Sequence, residues 1–354
     1  MLPVKCFRRA AVALAASVAL LGPVLANTDT AVAPPPGGTS LTLINGWKSY
    51  GFGTAKPSVS AIHGIVHLKG AIRTNGSSPN PFVLPSAFRP AALLYVPVDM
   101  CGATNGRLVI ETDGTVTVQA EADFGEAQCF TSLEGVSFAT SSDGFKSLTL
   151  ENGWTEFGKG TANAAARNIG GVVHFEGAIA TGGTNAIPFI LPAALRPATE
   201  VFVKADLCEA ANGRLDILPD GTVTVEPEGA FSTAECFTSL DGASFAMNST
   251  GFTALDLING WTNYGRGVAN AAVKAANGVV QLEGAIQTSG TSPDPFVLPV
   301  GFRPKKWVYV PVDMCDATNG RLDISPDGDV TVEAESDFSK AQCFTSLDGV
   351  SFHE

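Results

Sequence analysis

The sequence predicts an all-β protein made of three tandem β-sandwich modules of jelly-roll-like form. Three observations carry this. The tripeptide Asn45-Gly46-Trp47 returns as Asn152-Gly153-Trp154 and Asn259-Gly260-Trp261, each time after 107 residues, and most other motifs recur at the same interval. Gly (38) and Pro (22) are plentiful while charged residues are only 16%, which suits short strands joined by turns better than helices. Two apolar-alternating arms flank an Asp-Gly pair once per copy, at Asp113-Gly114, Asp220-Gly221 and Asp327-Gly328.

Taken in order, residues 1–26 read as a secretory signal. Lys5, Arg8 and Arg9 form a basic start and Ala10 to Leu21 an apolar stretch. Gly22-Pro23 breaks that stretch, and Val24-Leu25-Ala26 offers a cleavage site before Asn27. The apolar stretch is short for a membrane span. Residues 27–40 form a Pro/Gly/Thr tether. The repeats follow as 41–138, 148–245 and 255–354, separated by nine-residue linkers at 139–147 and 246–254. Linkers that short keep neighbouring modules close, and ungapped copies imply modules that fold alone.

Within a module, Leu41-Thr42-Leu43 begins a short strand before the Asn-Gly-Trp turn. Ile65 to Arg73 then alternates, with Val66, Leu68, Gly70 and Ile72 inward and Ile65, His67, Lys69, Ala71 and Arg73 outward. The inward face stays apolar in all copies, whereas the outward face changes character. The recurring inward glycine (Gly70, Gly177, Gly284) marks a bulge or a close backbone approach. Variable polar loops follow at 74–80, 181–187 and 288–294. The Pro-rich Pro81–Pro85 and Phe88-Arg89-Pro90 segments exclude helix and central strand, leaving an edge or crossover. Leu93 to Val98 is a strand, and Arg107 to Val118 is a hairpin whose Asp-Gly suits a type I′ turn. Phe130 to Phe138 closes the module.

Removing the three basic residues of the leader leaves 19 basic against 34 acidic residues, a net charge of −15. Such a chain repels phosphate backbones and anionic lipid, which excludes nucleic acid as a partner. Cys6 leaves with the leader, and the other six cysteines form three pairs 28 residues apart. Modules that fold with their own pair require Cys101–Cys129, Cys208–Cys236 and Cys315–Cys343, in keeping with an oxidising extracellular compartment. A zinc site built on these cysteines fails on spacing, because no C-x-x-C or accompanying His pair exists.

The ordered string Asn259-Gly260-Trp261, Gly278–Ile286, Phe296–Pro299, Phe302-Arg303-Pro304, Leu322–Val330 and Ser346–Phe352 resembles a β-sandwich module common in bacteriophage tail, baseplate and fibre proteins. The resemblance covers nearly all of the chain after the leader, three times over. It implies a β-sandwich at a distal tip that touches a host surface, commonly a glycan. The secretion signal and the cysteine pair in each module depart from the phage pattern and imply an exported cellular protein using the same fold.

Candidate chemistry is sparse. Of four histidines, His67 and His174 are equivalent but the third copy has Gln281, which argues against a general base and for exposed strand positions. No nucleophile-elbow, zinc-protease or phosphate-loop motif occurs. Asp99, Asp206 and Asp313, with Glu121, Glu228 and Glu335, could pair for glycoside hydrolysis, or bind Ca²⁺ with Asn105, Asn212 or Asn319; solvated or capping acids are the plainer reading. Trp47, Trp154 and Trp261, with Tyr50, Phe157 and Tyr264, are either core or a stacking platform for a sugar. Trp307 stands where the other copies have Leu93 and Glu200, which suggests a copy-specific contact. The reading is a secreted, non-enzymatic surface-recognition protein without cofactor, its tandem modules binding glycan or a protein partner with avidity. The alternatives are an extracellular spacer and a small secreted hydrolase.

Overall fold

Each module arranges its strands in small antiparallel sheets around one core, as the second module illustrates. One sheet pairs Lys146–Ser147, Ala165–Ile169, Val172–Glu176 and Ser244–Ala246 in that order. A second pairs Trp154–Glu156, Ala178–Thr181 and Thr238–Ser239. A third runs Phe189–Ile190, Thr222–Pro227, Asn212–Ile217 and Val201–Asp206. The computed structural model describes residues 38–354, so the expected signal at 1–26 and most of the tether lie outside the described residues. Among the described residues no helix is long and apolar enough to cross a membrane.

The alternation works as read: Val66, Leu68 and Ile72, with their counterparts, enter the core of each copy. The inward glycine turns the chain from one sheet into the next. At Gly177 φ is +96°, and a Cβ would lie 2.5 Å from the Asn163 carbonyl oxygen, so only glycine fits. A buried carboxylate completes this corner in every copy. The N–H of Gly70 donates to Glu134 Oε1 at 2.8 Å, and those of Gly177 and Gly284 donate to Asp241 and Asp348 Oδ1 at 2.9 Å. Burial pushes these three carboxyls up to about 7, although the amide bond pulls the other way.

The Pro-rich segment supplies an edge strand and a short 3₁₀ turn, and the Phe-Arg-Pro arginine ties them together. Arg89, Arg196 and Arg303 donate Nε to the carbonyls of Leu84, Leu191 and Leu298 at 2.8–3.0 Å. The hairpin turn differs from expectation. Asp113 keeps a negative φ; Gly114 alone is left-handed at +88°, and its N–H bonds Glu111 O at 2.9 Å. This is a three-residue type I turn with a glycine bulge, and the Asp113 carboxylate caps Thr115 N at 2.8 Å. The type I′ turn sits instead at Asn-Gly-Trp, where Asn45 (+53°) and Gly46 (+83°) are both left-handed. A short helix, Phe124–Cys129, was not read from the sequence; Asp123 caps it through Gly125 N at 2.6 Å. The helix delivers Cys129 to Cys101, and all three intramodule disulfides form as expected, with Cα separations of 5.8–5.9 Å.

The modules are not beads on a string. They close into a ring with a pseudo-threefold axis, and each seam repeats the same bonds in cyclic order. Asn105, Asn212 and Asn319 donate Nδ2 to the carbonyls of Ala210, Ala317 and Ala103 at 2.6–2.7 Å. Ser239, Ser346 and Ser132 donate to the carbonyls of Tyr95, Phe202 and Tyr309 at 2.6–2.8 Å. The linkers are correspondingly structured. Ala139 pairs with Ile65 of the first module, and Lys146–Ser147 pairs with Ala165–Ile169 of the second. Thr39–Ser40, at the end of the tether, forms the matching strand of the first module.

The ring also corrects the histidines. The start of the outward strand face does not point to open surface: Ile65 and His67, with Val172, His174, Val279 and Gln281, line a cavity shared by the three modules. His67 and His174 are half-buried there, and desolvation depresses their imidazoles to about 3 and about 4, so both are neutral at pH 7.

Candidate recognition surface

The tryptophans of the Asn-Gly-Trp turns are core. Trp47, Trp154 and Trp261 are each 3% exposed. Their indole N–H groups donate to the carbonyls of Ser78, Asn185 and Ser292 at 2.7–2.9 Å, and Phe124, Phe231 and Phe338 pack edge-on against them. No ring face is left for a sugar, so the stacking platform proposed for these three residues is corrected. Their partners are not beside them either. Tyr50, Phe157 and Tyr264 pack against Phe130, Phe237 and Phe344 with centroids 4.6–4.8 Å apart, at the seams. The neighbouring module adds Tyr309, Tyr95 and Phe202 at 4.8–5.1 Å.

The recurring acids are interface groups. Asp206 accepts from Arg107 at 2.9 Å, Asp313 from Arg214 at 3.0 Å and Asp99 from Arg321 at 3.4 Å, always across a seam. Each guanidinium also lies over the seam aromatics, as Arg107 does 4.9 Å from the Tyr95 centroid. Near the axis, Lys204 donates its ammonium to the Oδ1 atoms of Asn212 and Asn319. Burial lowers this ammonium to about 8, against the pull of Asp313, Glu335, Glu121 and Glu228. Two of the amide oxygens considered for Ca²⁺ therefore hold a side-chain cation, and the aspartates of the set accept from arginines. The other copies carry Pro97 and Pro311 in place of Lys204.

Symmetry exposes what is specific to one copy. The seam between the third and first modules carries Trp307, 37% exposed, stacked on Tyr309 at 6.3 Å, its backbone N–H bonded to Gly53 O at 3.2 Å. Beside Gly53 stands Phe52, 71% exposed at a left-handed φ of +47°. A bulky residue rarely holds that conformation, and an exposed one gains little by it. Lys159 and Arg266 occupy the equivalent sites with the same backbone, lying 4.6 and 5.1 Å over Phe157 and Tyr264. In the first copy the roles are exchanged: the aromatic is outermost, and Arg73 covers it at 5.4 Å.

Arg73 leads into an open cleft of about 270 Å³ lined by Gly46, Lys48, Arg73, Thr74, Asn75 and Gly76. Lys48 and Arg73 stand directly opposite each other on paired strands, a repulsive arrangement in an isolated ladder. Among the described residues neither has a carboxylate partner within salt-bridge distance. The equivalent pairs are Thr155 with Ala180 and Thr262 with Gln287. Thus one face of the ring gathers Trp307, Phe52, Arg73, Lys48 and Asn75. Trp307 was singled out by its variation; Phe52 and the cation pair were not, although a comparison of copies at positions 48, 52 and 73 contains the signal. The chain matches no protein-family model, no curated protein and no solved structure.

Proposed function

We propose that the protein is an exported, non-enzymatic surface-recognition protein, and that the face at the seam of the third and first modules binds an acidic glycan. The carrying observation is Phe52. Phe52 packs one side on Tyr50, with centroids 5.0 Å apart, and lies under Arg73, yet stays 71% exposed, so beside the Lys48–Arg73 couple, which lacks a carboxylate partner, it suits stacking on a sugar ring that carries a carboxylate or sulfate. Three disulfides fit an extracellular setting, and Lys48 and Arg73 supply local positive charge at this face against the negative charge of the chain as a whole. The resemblance to phage tip modules supports the same reading by analogy.

The test is a glycan array and cell-surface binding with residues 27–354. Acidic glycans bind, and Lys48→Thr with Arg73→Gln abolishes the signal while leaving the melting temperature in place, because the third copy already carries those residues. Phe52→Ala and Trp307→Ala each weaken binding about tenfold, as loss of an aromatic anchor does. Binding only to a protein on the cell surface would replace glycan with a protein partner. No binding at all would favour a spacer.

A further inference from the structure

All four histidines of the sequence meet at one place. His63, His67 and His174 line an axial cavity of about 100 Å³, and the His353 ring lies edge-on to His67 with centroids 5.5 Å apart. His67, His174 and Gln281 are equivalent positions, one from each module, so their side chains approach the axis at one level. We propose that this cavity binds one divalent transition-metal ion of the zinc, nickel or copper class, held by the imidazoles of His67 and His174 and the amide oxygen of Gln281, with solvent completing the shell.

His67 and His174 are half-buried along the cavity, and among the described residues neither ring has a side-chain or backbone hydrogen-bond partner, which leaves their nitrogens free to coordinate. Two unpartnered imidazoles beside a cavity large enough for a hydrated ion form the beginnings of a coordination shell. Lys274 also lines the cavity, but its ammonium and the nearby Arg167 guanidinium have their own acceptors. Lys274 donates to Thr250 O at 3.3 Å and Arg167 to Asp143 O at 2.8 Å. His353 is steadied by Ser60 Oγ at 3.4 Å from its Nε2, and so supports the His67 ring from outside. Among the described residues no three His, Cys, Asp or Glu side chains converge as a complete cage. Gln281 lines the same cavity and would supply the third protein ligand through its amide oxygen, with the remaining positions open to water or to an incoming donor.

The experiment is calorimetric titration of residues 27–354 with zinc, nickel and copper chlorides. One ion binds per chain. His67→Gln and His174→Gln, each copying the third module, weaken binding roughly tenfold or more, whereas His63→Asn at the exposed rim leaves it unchanged. The Cu²⁺-loaded wild type shows nitrogen hyperfine coupling from two imidazoles, a readout that survives even if a variant folds poorly. Absence of binding, or binding lost with His63→Asn but kept in His67→Gln, overturns the proposal.

Discussion

Replacing Glu134 by Gln should make stability less sensitive to pH, and the size of the effect follows from its corner. Glu134 is buried against Gly70, with Oε2 unpartnered, and burial raises its carboxyl from 4.5 to about 7. In the folded protein it holds its proton up to about 7, whereas the unfolded chain releases it near 4.5. The stability it supports is complete below 4.5 and is lost as pH rises through 7. At about 1.4 kcal/mol per pH unit, the loss is about 3 kcal/mol. Gln keeps an acceptor for the Gly70 N–H and never ionises. Urea unfolding of both proteins from about pH 4 to about pH 8 should show the variant gaining about 3 kcal/mol on the wild type. The comparison must be differential, because His67 and His174 act in the opposite sense: their depressed values make stability rise with pH over the acid range. Parallel curves for the two proteins would refute the argument and place an ionised carboxylate at the corner.

Three further outcomes can be measured. Gly177→Ala should cost at least about 2 kcal/mol, since its Cβ would strike the Asn163 carbonyl in a backbone reserved for glycine, and thermal unfolding reads this directly. Arg321→Met leaves the buried Asp99 carboxyl, already raised well above its ordinary range by burial, without its hydrogen-bond partner and releases Asp323 and Glu333, and should cost about 1–3 kcal/mol. Hydrogen exchange should then rise first along Val308–Asp313 and Leu94–Asp99, because no linker joins the third module back to the first. Cys129→Ala opens a 28-residue loop and should cost about 3.5 kcal/mol, with peptide mapping still finding the other two bridges intact.

What the sequence made legible was local. Apolar alternation placed the strands, proline density marked the edge segment, and the 28-residue cysteine spacing named all three bridges. The corner role of Gly70 was foreseen as a close approach, but its partner Glu134 was not, because a carboxylate buried 64 residues away leaves no local pattern. The Asp-Gly turn was misassigned because Asp-Gly suits both type I′ and a type I turn with a bulge, and the flanking bonds decide between them. The ring was invisible for a deeper reason. A strand face that varies among copies looks like solvent exposure, yet His67, His174 and Gln281 line one cavity between the modules. Likewise the constant tryptophans drew attention as a site and are core, while Phe52 breaks the repeat and is exposed.

Lys204 shows what linking the three modules in one chain makes possible. In an assembly of three identical subunits, every substitution appears three times, and a lysine at this position would crowd three ammonium groups around one axis. Here duplication within a single chain allows one sector to supply the charge while the other two keep proline. The same freedom lets one sector display Phe52 between Arg73 and Trp307 without repeating it twice around the ring. Concatenation thus turns an obligately symmetric architecture into three addressable positions, each able to diverge while the shared seams hold the others in place.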